Sequence, residues 1–421
     1  MLEKVSLFTT KRDFLLFLLF SLFILTYTLL MEYQNYKNLT RYNSTTISAT
    51  VINQYTKIKD TKTYQLLKLR TDNGAVIYTS AKNTIGNLKN KKFMFEVWAG
   101  KKSFYEYITS FYAFTKILYA KSNDSLKHKI NQLISSQHKD DKLTTLYKAL
   151  YTATPLSKEL YAKFSTLGVS HLLAISGFHL GVLSGVLFFL IKYPYKFLQS
   201  RYFPYRSFKL DTFIIITVLL FCYLLFLDAP PSLVRAFGML VIGFLLYNSG
   251  IKIISMQTLL LSVILLIALF PRLCFSLGFW LSVSGVFYIF LFLLHFKDLG
   301  KIWQFLLVPV WVYLLMLPYS LSIFGSFSLY HPLSIIWTSL FSIFYPLSIL
   351  LHLSGFGAFF DTLLLSLINL GEKNINVELP LIYLAIQIFL SLVSIYEKKF
   401  VWILILFSVG IFVYALSNLV R

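Results

Sequence analysis

Hydrophobic and polar residues are distributed very unevenly along the chain. A first apolar stretch runs from Phe14 to Met31, and from about Leu167 onward the sequence is a series of apolar segments separated by short polar breaks. Because a helix needs about 20 apolar residues to cross a hydrocarbon core of roughly 30 Å, these segments predict membrane-spanning helices. The candidates beyond residue 166 are 167–192, 212–228, 232–249, 255–271, 276–296, 303–320, 331–354, 379–396 and 400–418, with a shorter apolar piece at 357–371.

The polar region after the first apolar stretch has a different pattern. Short runs rich in β-branched or aromatic residues predict strands at 48–55, 63–70, 75–80 and 93–98. Asp72-Asn73-Gly74 separates the second run from the third and is a hairpin-turn sequence, since Asn-Gly accommodates positive φ angles. From 110 to 161 the spacing of leucines instead predicts helices that lie on the membrane surface.

These patterns predict a polytopic α-helical membrane protein of about 9–11 spans, with a β-rich domain inserted after the first span. The predicted parts are a transmembrane anchor at 1–31, a β domain at 32–109, amphipathic linking helices at 110–166 and a transmembrane domain at 167–421.

Composition excludes a soluble globular enzyme. The 421 residues are 57% hydrophobic and only 14% charged, whereas soluble proteins carry about 25% charged residues. The two cysteines, Cys222 and Cys274, lie inside apolar segments. We interpret them as packed thiols rather than as a disulfide or a metal-binding pair.

Basic residues in the polar breaks predict the orientation. They occur in the loop at 192–209, at Lys252, and at Lys297 with Lys301, and the intervening spans place all three loops on one side. The positive-inside rule makes that side cytoplasmic. The expected protein is therefore a multi-pass protein of the cytoplasmic (inner) membrane, with its N-terminus inside and residues 32–166 outside. The side of the C-terminus stays open.

The region outside the membrane is strongly basic. Residues 32–165 contain 22 Lys and Arg against 9 Asp and Glu, interleaved with aromatic residues. Single-stranded nucleic acid is bound by such mixtures, because cations meet phosphates while bases stack on aromatic rings. The DNA-binding candidates are Lys57, Lys59, Lys62, Tyr64, Lys68, Arg70, Lys89, Lys91, Lys92 and Trp98. The same mixture would also suit a solvated face over an aromatic core, or attraction to anionic lipid headgroups.

Polar residues inside the apolar segments are a second set of candidates, because such groups persist in hydrocarbon only where partners, water or a pathway satisfies them. A helix broken at Ser176-Gly177 would present free N–H groups that favour an anion. Interhelical hydrogen bonding, close packing, and snorkelling or pairing of the arginine with Asp228 are the alternatives. The candidates that would line or brace a passage are His171, Ser176, Gly177, His179, Asp228, Arg235 and Ser282.

Enzyme motifs are not found in the sequence. It contains no GxxxxGK[ST] nucleotide loop, no HExxH and no HxHxDH, and its seven histidines are scattered. Ser176 and His179 have the residue types of a nucleophile and a base, but no local acid orients the histidine and no GxSxG turn is present. We therefore expect no enzymatic activity, no metal site and no cofactor.

Three motifs carry a resemblance to a known family. HLLAISGFHLG at 171–181 resembles the HLLAISGLHVG signature of the ComEC family of competence proteins. PSLVRAFGM at 231–239 resembles that family's PS-x-x-RA-x-x-M segment, and GFWLS at 278–282 resembles its GFxLS segment. With the anchor, the basic β-rich insert and the multi-span bundle, the resemblance covers essentially the whole chain.

The resemblance implies an inner-membrane channel that translocates single-stranded DNA into the cytoplasm during natural transformation. It also implies an OB-like fold for the β domain. Its partners would be single-stranded DNA, membrane lipid, an extracytoplasmic DNA receptor, and a cytoplasmic helicase-like ATPase or single-strand-binding proteins, and it leaves an oligomer open. Longer members append a metallo-β-lactamase-like domain with an HxHxDH motif, and the expectation for this sequence is a short form without it. The alternative function is a small-molecule permease or an anionic-lipid-handling membrane protein with a basic extracytoplasmic domain.

Overall fold

Long helices and one six-stranded sheet dominate the computed structural model, which describes residues 10–59, 62–81, 86, 88, 91–100, 102–120, 126–173, 175–249, 255–370, 375–377 and 379–420. The elements in chain order are α1 Lys11–Thr40, β1 Thr45–Lys59, β2 Lys62–Thr71, β3 Val76–Ala81, β4 Lys92–Trp98, α2 Phe104–Thr109, β5 Phe111–Tyr112, β6 Phe114–Ala120, α3 Leu126–Gln137, α4 Asp141–Thr152, α5 Lys158–Thr166, α6 Ser170–Leu173, α7 Gly177–Tyr202, α8 Phe208–Phe226, α9 Pro231–Asn248, α10 Met256–Leu269, α11 Leu277–His295, α12 Lys301–Phe324, β7 Ser326–Phe327, α13 Ser334–Leu353, α14 Asp361–Leu370, β8 Ile375–Asn376, α15 Leu381–Val393 and α16 Lys398–Val420. Short 3₁₀ turns lie at Pro271–Phe275, His331–Leu333 and Gly357–Phe360.

The chain divides into two units. The sheet unit comprises Thr10–Ile130 and Ile264–Ser276, and the described part of the bundle unit comprises Asn131–Val263 and 277–420.

The sheet of the sheet unit curls back on itself. Its strand order is β5-β3-β2-β1-β4-β6, with β3 and β5 parallel and the other neighbours antiparallel. Only Ala113 separates β5 from β6, although these strands occupy opposite edges. The two edges must therefore meet, and the Thr115 hydroxyl of β6 lies 3.0 Å from the Thr79 hydroxyl of β3. The sheet is thus a small barrel.

Alternating side chains fill this barrel, because successive residues of a strand point to opposite faces. Leu67 and Leu69 of β2, Ile77 of β3, and Phe93, Phe95 and Val97 of β4 are buried. The four predicted strands and the predicted turn are confirmed. Gly74 has a φ of +80° between β2 and β3, and its N–H donates to the Thr71 carbonyl.

The predicted boundary at residue 110 is wrong. Residues 111–120 are strands β5 and β6 rather than the start of a helical region, and the described helices begin again at Leu126. The stretch is rich in aromatic and β-branched residues, and its pairing with both β3 and β4 closes the barrel. Pairing with strands β3 and β4 therefore determines that this stretch is β-strand rather than helix.

Arg272 ties several parts of the sheet unit together. Its Nε and Nη2 donate to the two carboxylate oxygens of Glu32 on α1, each at 2.8 Å. Nη1 donates to the carbonyls of Tyr107 at 3.2 Å and Gly74 at 3.4 Å, and the guanidinium lies 4.7 Å from the centre of the Tyr107 ring. Burial raises the pKa of Tyr107 to about 12, so this ring is neutral at physiological pH.

Seven described helices are long and apolar enough to cross a membrane, as judged by length and composition: Lys11–Thr40, Gly177–Tyr202, Phe208–Phe226, Leu277–His295, Lys301–Phe324, His331–Leu353 and Lys398–Asn418. Four shorter apolar helices lie at Ser232–Asn248, Met256–Leu269, Gly357–Leu370 and Leu381–Val393. Many large apolar side chains on these helices are exposed, including Phe23, Phe189 and Leu406. An apolar outer surface is what lipid requires, so the structure is that of a polytopic helical membrane protein. The 9–11 spans predicted from the sequence therefore include some helices that are too short to cross a membrane fully.

The predicted span at 167–192 is wrong, because the chain is interrupted there. α5 ends at Thr166, α6 occupies only Ser170–Leu173, and α7 begins at Gly177. Gly168 has a φ of +71°, which a glycine adopts without a steric penalty. The helix break at Ser176-Gly177 that the sequence analysis considered is present, because α7 begins at Gly177.

Candidate functional site

The start of α7 presents a buried histidine donor inside the bundle. The Ser176 N–H donates to His179 Nδ1 at 3.2 Å, so this nitrogen is an acceptor and Nε2 carries the proton. His179 is fully buried against the stacked rings of Phe341 and Tyr345, at centroid distances of 5.1 and 4.8 Å. Its Nε2 makes no well-formed hydrogen bond with the described residues, although the Leu172 backbone carbonyl lies near enough to interact with the ring. A buried donor with only a weak acceptor costs free energy, so its N–H is available to a ligand.

The start of α9 packs directly against the start of α7. The Ser232 hydroxyl donates to the Ile175 carbonyl at 2.6 Å. A Cβ atom added to Gly177 would lie 3.1 Å from the Cβ of Ala236, so a larger residue would press α7 away from α9. The first two motifs therefore meet where two helices begin.

Arg235 is buried one turn into α9 without a carboxylate partner. Only 6% of the residue is exposed, and its guanidinium lies 5.8 Å from the centre of the Phe279 ring. Its Nε has no acceptor, and no ion pair of Arg235 with Asp228 or any other described acid is present. Asp228 is exposed and has a φ of +62° in the turn before α9. Asp228 therefore lies at the surface, whereas the Arg235 guanidinium is buried.

The contact of Arg235 with Phe279 also brings in the third motif, since Phe279 belongs to GFWLS. Ser282 of that motif is exposed on α11. His171 is exposed on α6, and its Nε2 lies 3.3 Å from the Thr338 hydroxyl of α13. The structure thus joins Ser176, Gly177, His179 and Arg235 through neighbouring helix starts, and His171 lies close enough to His179 for the two rings to interact electrostatically.

Sequence reasoning missed two buried polar groups in the bundle. The His331 ring packs on Gly168, where an added Cβ would lie 3.0 Å from it, and its Nδ1 lies 3.1 Å from the Tyr313 hydroxyl. Gln387 is fully buried, and its amide donates to the Leu315 carbonyl at 3.0 Å and the Tyr288 hydroxyl at 3.3 Å. A glutamine inside the apolar segment 379–396 was a visible signal, whereas no pattern pairs Gly168 with a residue far along the chain.

The basic candidates of the barrel lie on more than one face. Tyr64, Lys68 and Arg70 alternate with the buried Leu67 and Leu69, so they share the outer face of β2. Lys68 lies opposite Tyr78 of β3, with its Nζ 5.5 Å from the ring centre. These four residues form a basic and aromatic surface that we call the β2–β3 face: Tyr64, Lys68, Arg70 and Tyr78.

The remaining barrel candidates are elsewhere or not described. Lys92 and Trp98 lie on the outer face of β4, and Lys92 is paired with Asp72 at 2.6 Å. Lys91 is exposed just before β4. Lys57 and Lys59 lie at the end of β1 and Lys62 at the start of β2, but their side chains fall outside the described residues, as does Lys89 entirely.

Comparison with known families identifies the bundle. A family model described as Competence protein matches residues 152–421, which is more than half of the chain and includes all three motifs. The chain belongs to the competence protein family. This membership agrees with the ComEC-family resemblance and supports a role in competence and DNA uptake by a channel family rather than a known enzyme family. Comparisons with curated proteins and with solved structures find no match.

Proposed function

We propose that this competence-family protein is an inner-membrane channel that passes single-stranded DNA into the cytoplasm. The observation that carries the proposal is the buried guanidinium of Arg235, which has no carboxylate partner and lies where all three motifs meet. Each nucleotide of a strand brings one phosphate charge, and moving that charge into a low-dielectric region is costly unless it is met by a cation or by oriented donors.

The donors around Arg235 suit transient contact rather than tight capture. The guanidinium supplies one fixed positive charge, and His179 and the first N–H groups of α7 supply partial positive charge. One charge with a few dipoles lowers the cost of passage without holding a polyanion firmly. A dense ring of lysines would bind the strand more tightly and slow its release.

The proposal also includes the barrel, which we propose to be an OB-like domain that receives the strand. In the barrel, β1 pairs with both β2 and β4. Strands β5 and β6 act as one interrupted fifth strand, in which β5 pairs in parallel with β3 and β6 pairs with β4. The five strands therefore form a closed sheet. OB folds bind single strands on the face of their second and third strands and on the adjoining loops. The β2–β3 face carries Tyr64, Lys68, Arg70 and Tyr78, and Lys59 and Lys62 flank the β1–β2 connection.

We place the barrel outside the cell membrane and the N-terminus inside, from the distribution of basic loops. In this orientation an extracytoplasmic DNA receptor would deliver the strand to the barrel. The basic segment at 192–209, which comprises the end of α7, the turn after it and the start of α8, would face the cytoplasm, where a helicase-like ATPase or single-strand-binding proteins could engage the emerging strand. One of its cations, Arg206, is held by Asp211 at 2.8 Å.

The test follows labelled DNA in cells that lack this protein and in cells complemented with it. DNA bound at the envelope and DNA that has entered the cytoplasm are scored separately. We expect the deletion to leave envelope binding intact and to abolish cytoplasmic entry. Normal cytoplasmic entry in the deletion strain would contradict the proposal and would favour a permease or a lipid-handling protein.

A further inference from the structure

A pair of histidines, of which His138 is buried and His352 is half-buried, lies outside the passage residues. His138 lies in the connection between α3 and α4, and His352 lies in the last turn of α13. Their Nε2 atoms are 2.9 Å apart. Two nitrogen atoms at this distance must share a hydrogen, because two unprotonated nitrogens would repel each other so strongly that they would move apart.

The Nδ1 atom of each ring already donates a hydrogen bond. His352 Nδ1 lies 2.7 Å from the Ser348 backbone carbonyl, which can only accept. His138 Nδ1 lies 3.0 Å from both carboxylate oxygens of Asp361. Both rings therefore carry a proton on Nδ1, and in their neutral forms both would direct an unprotonated Nε2 at the other.

We propose that His138 and His352 bind one additional proton between their Nε2 atoms, with Asp361 as its counter-charge. One ring is then an imidazolium that donates to the other, and the 2.9 Å separation is that of an N–H···N hydrogen bond. The carboxylate of Asp361, whose two oxygens lie 3.0 Å from His138 Nδ1, supplies the opposing charge. His138, His352 and Asp361 are not among the passage candidates.

The surroundings of the pair favour a proton over a metal ion. The Tyr147 ring stacks on His138 at 4.4 Å, and a Cβ added to Gly357 would lie 2.9 Å from His352 Nε2. Little room is left for the further ligands that a metal requires. Within the described residues, no group of three or more His, Cys, Asp or Glu side chains could hold a metal ion.

Other groups that face the pair are neutral apart from Asp361. The Tyr151 hydroxyl lies 3.2 Å from His352 Nδ1, and the Gln137 amide donates to the His352 carbonyl at 3.1 Å. Burial raises the pKa of Tyr147, with the nearby Asp361 carboxylate adding to the effect. Burial likewise raises the pKa of Tyr151. Neither tyrosine competes for the shared proton as a base at neutral pH.

The bound proton links the α3–α4 connection to a membrane-spanning helix. His138 lies in that connection, and α13 also carries Phe341 and Tyr345, whose rings contact His179. Loss of the proton would turn an attractive contact into the repulsion of two lone pairs. The last turn of α13 and the α3–α4 connection would then separate.

The direct test is nitrogen NMR of the full-length protein in lipid, with ¹⁵N in its histidine rings. At pH 8, well above the value of about 6.5 at which an ordinary histidine titrates, we expect one imidazolium with coupling across the N···N contact. His352→Gln should remove both signals, because the Gln amide can donate to His138 Nε2 without an added proton. His128→Gln, which changes an exposed histidine of α3, should leave them.

Thermal unfolding supplies a readout that does not need the variant to be perfectly native. Between pH 6 and pH 9 the wild type should lose roughly 3–6 °C more than His352→Gln does. Asp361→Asn should move this loss to lower pH, since the counter-charge is gone. Two neutral rings at pH 8 without coupling would overturn the proposal. So would one tightly bound equivalent of zinc that His352→Gln abolishes, because that result would make the pair a metal site.

Discussion

At the scale of single residues, Arg235 is a buried cation whose Nε has no acceptor among the described residues. We expect Arg235→Gln to reduce cytoplasmic entry of DNA by about 10- to 100-fold, because a hydrogen bond to a charged group contributes roughly 1.5–3 kcal/mol. Arg235→Lys should keep part of the activity, since it retains the charge but loses the planar fork. Entry of labelled DNA, normalised to the amount of protein in the membrane, is the measurement.

Arg12→Gln is the matched control for this prediction. Arg12 is an exposed arginine in the first turn of α1, outside the basic segment at 192–209, so its loss removes the same formal charge from the surface. If both variants reduce entry equally, net charge rather than the buried position matters. Unchanged entry in Arg235→Gln would remove Arg235 from the passage.

Glycine is required at position 168 both by the backbone conformation there and by the neighbouring His331 ring. A substituted alanine would keep a φ of +71° and would place its Cβ 3.0 Å from the His331 ring. We expect Gly168→Ala to lower the free energy of unfolding by about 2–4 kcal/mol, from backbone strain and overpacking together. Thermal unfolding of the purified protein measures this change.

Gly185→Ala provides the contrast in the same bundle. Gly185 lies inside α7, and an added Cβ would meet nothing within 4 Å. Alanine is the better helix former, so this variant should gain about 0.5–1 kcal/mol. Equal behaviour of the two variants would show that contact with His331 is not what restricts residue 168.

Residue types pointed to the passage candidates, but partners could not be read from spacing. His179 and Arg235 were selected because histidine and arginine are unusual inside apolar segments. Whether Arg235 pairs with Asp228 depends on the direction of the chain through Ala229, Pro230 and Pro231, which no periodicity encodes. The histidine pair at 138 and 352 was equally invisible, because 214 residues separate its members.

At the scale of elements, the bidentate contact of Arg272 with Glu32 holds α1 to the turn before α11. Both side chains are less than one-fifth exposed, so removing one leaves the other charge largely buried. We expect Arg272→Gln or Glu32→Gln to lower the stability of the sheet unit by about 2–4 kcal/mol, with a smaller loss in the double variant. Chemical unfolding followed by tryptophan fluorescence measures the cycle.

The Lys92 and Asp72 pair is the control inside the same unit. It is partly exposed, at 31% and 55%, and such pairs contribute about 0–1 kcal/mol. Lys92→Gln should therefore change stability little. A loss in Arg272→Gln no greater than that of Lys92→Gln would mean that the Arg272 contacts do not hold the unit together.

Local sequence patterns predicted the types of the secondary-structure elements well. They predicted the ends of these elements where capping residues were visible. The hairpin turn at Asp72-Asn73-Gly74 and the helix start at Ser176-Gly177 were both predicted, because Gly and Ser have specific backbone roles there. Strands β5 and β6 were missed, since each is stabilised by partners far away in the sequence. The uninterrupted span at 167–192 was wrong because hydropathy is insensitive to a break at Gly168.

At the scale of the whole molecule, the competence-family match covers the bundle and begins after the barrel. Family membership therefore supports the role of the bundle, while the role of the barrel depends on its own surface. The chain combines a buried guanidinium in the bundle with a basic surface on the barrel, and both suit a polyanion. The distinction between DNA and anionic lipid as the ligand of the barrel has to come from binding.

Binding by the purified full-length protein tests the β2–β3 face. We expect preference for single-stranded DNA over vesicles of anionic lipid, with affinity that falls steeply as salt rises. Each phosphate contact contributes a slope of about 0.7 for single strands, so Lys68→Gln combined with Arg70→Gln should reduce the slope by about 1.4. Lys297→Gln combined with Lys301→Gln removes two exposed lysines, one from the loop before α12 and one from its first position, and should leave the slope unchanged.

The pattern of results separates the two functions at the level of the whole protein. A reduced slope only in the barrel variant, with DNA preferred over vesicles, places the strand on the β2–β3 face. Equal reductions in both double variants would mean that DNA responds to net charge alone. Vesicle binding that exceeds DNA binding and depends on Lys68 and Arg70 would make the barrel a lipid-contacting domain, and the strand would then have to enter the bundle without it.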